Sequence, residues 1–100
     1  MTELTSSDCQ LLHHGRADLV FFVEGIVGPE ACGRATSRMI TLTQTAPGFH
    51  DLAHPFGLVP AEAVGLRVSL PDGRCFAGTI GARFFGTLSF ASQMEVSTFG

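Results

Sequence analysis

The chain has 100 residues, a net charge of −3 and a hydrophobic fraction of 45% against a charged fraction of only 15%. That is one domain's length, with enough chain to bury a modest core without disulfide staples. All six basic residues are Arg and none are adjacent, so the basic stripe that tracks a phosphate backbone is missing and nucleic acid is not an expected partner.

The opening stretch Met1–Asp8 is polar and slightly acidic and reads as a disordered lead-in. It has neither the basic start nor the apolar run of a secretion signal, so the expected location is cytoplasmic, with incorporation into a phage particle left open. Cys9 to His14 reads as a short strand broken by Gly15, and Ala17 to Val27 as a second. The latter contains Leu19-Val-Phe-Phe-Val23, which is apolar on both faces and too short to span a bilayer, so no membrane partner is expected. A run like this needs cover from the rest of the fold or from another subunit. Gly28-Pro29-Glu30 ends the strand, and Ala31 to Ser37 reads as a loop.

Arg38 to Thr45 is the third expected strand, with Ile40 and Leu42 on one face and three Thr on the other. Residues 46–60 hold Pro47, Gly48, Pro55, Gly57 and Pro60, a density that argues against helix or central strand and predicts an irregular flap. Pro60 to Val64 suits a single helical turn, and no segment has longer helical periodicity.

The strongest signal follows. From Leu66 the even positions Leu66, Val68, Leu70, Phe76, Ile80, Phe84, Leu88, Phe90, Met94 and Val96 are apolar, while most odd ones are polar. A period of two marks strands with one buried face. Gly65–Leu70 and Arg74–Ala82 form a hairpin about Pro71-Asp-Gly73, in which Pro presets φ and Gly accepts a positive φ. Gly78 inside the return strand suggests a bulge, and Thr87–Ala91 with Met94–Thr98 complete the meander. The fold class is therefore mainly β: a small antiparallel barrel or sandwich of about six strands with one irregular flap, forming a single domain over residues 1–100.

The stretch Arg67-Val-Ser-Leu-Pro-Asp-Gly-Arg-Cys-Phe-Ala-Gly-Thr-Ile80 resembles the first hairpin of Sm-like RNA-binding barrels. It also looks like a hairpin of hub proteins in phage tails and contractile injection systems. Either resemblance stops at that hairpin and implies no site residue.

Chemistry-bearing patterns are sparse. His50 and His54 are four apart, but Pro47 and Pro55 leave little room for the helix that would align them as metal ligands. Three scattered Cys read as reduced, largely buried thiols, and no nucleophile elbow or phosphate loop is present. No catalytic residue, metal or cofactor is expected. The expected function is a non-catalytic protein-binding or assembly module, bacterial or phage in origin, acting on a protein partner or on itself. Its interface candidates are Arg83, Phe85 and Phe99 on the wet parity, with Phe21 and Phe22 of the apolar strand. The alternative is a small-molecule- or metal-binding barrel, with enzymatic activity left open, in which Phe49, His50, His54 and Phe56 line a site under the flap.

Overall fold

In the computed structural model, which describes residues 9–55 and 57–95, six antiparallel strands close on themselves. They are β1 (Gln10–Glu24), β2 (Pro29–Ala46), β3 (Phe49–Ala53), β4 (Gly65–Ser69), β5 (Cys75–Phe84) and β6 (Thr87–Glu95). Their order around the barrel is β1-β2-β3-β6-β5-β4, with β4 pairing back onto β1. Closure is what the sequence demands. Leu19 and Phe21 of the Leu-Val-Phe-Phe-Val run point inward, and the closing ladder from Asp18–Ser69 to Phe22–Gly65 protects its backbone.

The interior is filled from every strand. Leu19 and Phe21 meet Ile40 and Leu42, Leu52, Leu66 and Val68, Phe76, and Leu88 and Phe90, all buried. The even-position alternation thus holds from Leu66 to Ile80, where a register shift between Ile80 and Arg83 inserts an irregularity into β5. Beyond that bulge the parity inverts, and Phe84 is exposed although its position number is even. Gly78, by contrast, sits in regular pairing with Leu66 and Ser92.

The first half is more regular than its composition suggests. β1 runs through Gly15 without a break, and residues 31–37 belong to β2 rather than to a loop. Three register shifts along the β1–β2 hairpin hide the period of two. At one of them Ser37 takes φ 57°, held by its N–H donating to Asp18 Oδ1 (2.8 Å) and by Arg16 Nη1 donating to its carbonyl (2.7 Å).

The expected 46–60 flap is also revised. Residues 49–53 are β3, paired on both sides to β2 and β6. The prolines bracket this strand instead of interrupting it, and Pro47-Gly48 forms the turn into it, with Gly48 at φ 82°. The irregular segment is 54–64. β3 and β4 lie on opposite sides of the ring, so this connection must cross the mouth of the barrel. It covers the core there with buried Ala63 and half-buried Leu58 and Val59. No helix occurs among the described residues; at 60–63 there is only a turn closed by Ala63 N–H donating to the Pro60 carbonyl (3.2 Å). β6 is one continuous strand to Glu95, and Val96 to Thr98 fall outside the described residues.

The β4–β5 turn forms at Pro71-Asp-Gly73 as the sequence requires. Asp72 accepts from the Arg74 backbone N–H (3.0 Å) and from its Nε (2.8 Å). These bonds, the backbone one foremost, hold the Asp72 carboxyl below its usual range.

Urea unfolding separates interior from wall. Leu42→Ala removes a side chain with no exposed surface and is expected to cost about 2–5 kcal/mol. Met39→Ala, on the outside of the same strand, is expected to change stability by no more than about 0.5 kcal/mol.

Candidate functional site

Because every neighbouring pair is antiparallel, three connections gather at one end of the barrel: the β1–β2 turn at residues 25–28, the 54–64 crossover and the β5–β6 turn at Phe85-Gly86. Among the described residues, this crossover end carries most of the exposed large apolar side chains. Ile26 and Val27 are 101% and 97% exposed, Phe84 68% and Phe85 90%, and Val64 of the crossover is exposed as well. Both tips are ordered by their turns. Gly25 N–H donates to the Gly28 carbonyl (2.8 Å), and the β5–β6 turn places Gly86 at φ 72° with its carbonyl accepting from His54 N–H (2.8 Å).

Arg83 ties this end together. The register shift in β5 sets it opposite Leu88, and its guanidinium reaches over the mouth. Nη1 donates to the Pro60 carbonyl (3.0 Å) and Nη2 to the Ala63 carbonyl. Arg83, an exposed residue at the same end as Phe85, therefore clamps the crossover. Pro60 is held from the other side by Gly33, where a β-carbon would come within 2.9 Å of the Pro60 ring.

The other sequence candidates separate. Phe21 is only 1% exposed and belongs to the core, which corrects its assignment to an interface. Phe22, its outward neighbour, is half-buried on the barrel wall. Phe85 stands at the crossover end as an exposed tip. Phe99 and Phe56 lie outside the described residues. Ile26, Val27 and Phe84 were not singled out in the sequence. The signal for the first two is the pattern Gly25-Ile-Val-Gly28-Pro29, an apolar pair held between turn residues.

Phe49, His50 and His54 do not gather around one cavity. Phe49 is exposed at the far end of β3. His54 lines a cleft of about 220 Å³ at the crossover end with Phe84, Phe85 and Arg83, and its Nδ1 lies 2.9 Å from the Pro55 carbonyl. His50 points into the barrel and is 4% exposed. Its ring stacks on Phe90 (centroids 5.2 Å, 20°) and tilts against Phe76 (5.3 Å, 60°). Burial lowers the His50 pKa below its ordinary value, which favours the neutral imidazole.

Among the described residues no group of three or more His, Cys, Asp or Glu is placed to hold a metal ion. The cysteines are free; Cys9 is exposed, against the expectation of burial, and Cys32 and Cys75 are half-buried. No helix among the described residues is long and apolar enough to cross a membrane. No protein family, curated protein or solved structure matches the chain.

Two measurements check these placements. The unfolded chain takes up a proton at His50 near the ordinary imidazole pKa, whereas the folded chain resists it. Stability from this group is therefore complete above that value and declines as pH falls below it, down to the lowered folded pKa. Thermal melts of His50→Gln between pH 7 and pH 5 are expected to show a shallower acid loss than the parent. Arg83→Met removes two hydrogen bonds from the crossover. Hydrogen exchange is expected to show faster exchange at Leu58 and Ala63, while amides of β1 facing β4 keep their protection.

Proposed function

We propose that this chain is a non-catalytic protein-binding or assembly module and that its contact surface is the crossover end of the barrel. The observation that carries this reading is the pairing of two ordered hairpin tips on that end, each presenting large apolar side chains to water: Ile26 with Val27, and Phe84 with Phe85. Leaving such groups wet forgoes roughly 25 cal/mol for every Å² that a partner would cover. A closed barrel with a filled interior could bury them or replace them with polar residues at no cost to its core. Isolated exposed apolar residues are ordinary, but concentration at one end marks a contact surface.

The partner suited to this surface is protein. Glu24 and Glu30 flank the Ile26–Val27 tip, and the chain as a whole is acidic, so an anionic lipid surface repels it. The absence of a basic run supports the same preference over nucleic acid. The alternative of a ligand site under the flap loses support from the separation of Phe49, His50 and His54, since the crossover packs on the core rather than roofing a cavity they share.

Site-specific photo-crosslinking in the source cells tests the proposal. A benzophenone side chain in place of Val27 or Phe85 is expected to give discrete protein adducts. The same group in place of Arg38, exposed on the barrel wall, is expected to give none. Adducts from all three positions alike, or retention of the purified protein on phospholipid vesicles without protein adducts, would overturn it.

A further inference from the structure

We draw no further inference here: the strongest candidate, the largely apolar groove of about 580 Å³ between the free end of the β1–β2 hairpin and the outer face of β4 and β5, carries nothing because nothing in the structure shows what covers it.

Discussion

The pairing of β4 onto β1 is the constraint from which the rest of this structure follows. With that ladder formed, the sheet has a single interior, and β3 and β4 fall on opposite sides of the ring. The chain between them then has no route along the wall and must pass over the mouth. It crosses as an irregular segment because Pro55 and Pro60 lack the N–H a ladder needs and Gly57 takes φ 83°, and it presents Leu58, Val59 and Ala63 downward because the core beneath is dry. Arg83, turned inward by the irregularity in β5, satisfies the crossover's carbonyls where no strand can. One end of the barrel is thereby sealed by covalent connectivity and side-chain hydrogen bonds.

This geometry also decides where apolar surface is left over. The walls are mostly half-buried or polar, and the interior is filled. The β1–β2 hairpin is much longer than the short strands it pairs with, so its tip runs past the barrel rim. A protruding tip has no neighbour in its own chain to cover Ile26 and Val27, and the β5–β6 turn leaves Phe84 and Phe85 in the same position. A groove beside the first tip arises for a related reason: the hairpin leaves the wall where Gly65 offers no side chain to fill the angle. The exposed apolar groups at this end thus trace to the length of the β1–β2 hairpin and to the β5–β6 turn.

The legibility of the sequence varied with how strictly each strand keeps a period of two. Between Leu66 and Ile80, and again at Leu88 and Phe90, the alternation is uninterrupted and the buried face is read correctly. In β2 the shifts near Cys32 and Ser37 place Ala35 and Ile40 inside but five positions apart, so a strand resembles a small-residue loop. In β3 only five residues pair, and the flanking prolines dominate any reading of composition although neither lies within the strand. His50 and Leu52 do alternate inward there, but an imidazole stacked on Phe90 is not foreseen when His is taken as polar. The exposed apolar tips were half visible. Phe85 stands out against polar neighbours, whereas Ile26 and Val27 look like the end of an apolar strand until the turn between Gly25 and Gly28 is recognised. Arg83 could not be placed from its parity, because the irregularity that turns it inward is a property of the pairing and not of the residue.

The most direct test of ring closure is the pattern of interstrand nuclear Overhauser contacts in solution. The account predicts backbone contacts linking Leu19 with Val68 and Phe21 with Leu66 across β1 and β4, observed in the same sample as contacts linking Leu52 with Leu88 across β3 and β6. If the β3–β6 contacts are present while those between β1 and β4 are absent, the sheet is open. The two halves would then be sandwiched or separate, and the crossing segment would have no mouth to cover.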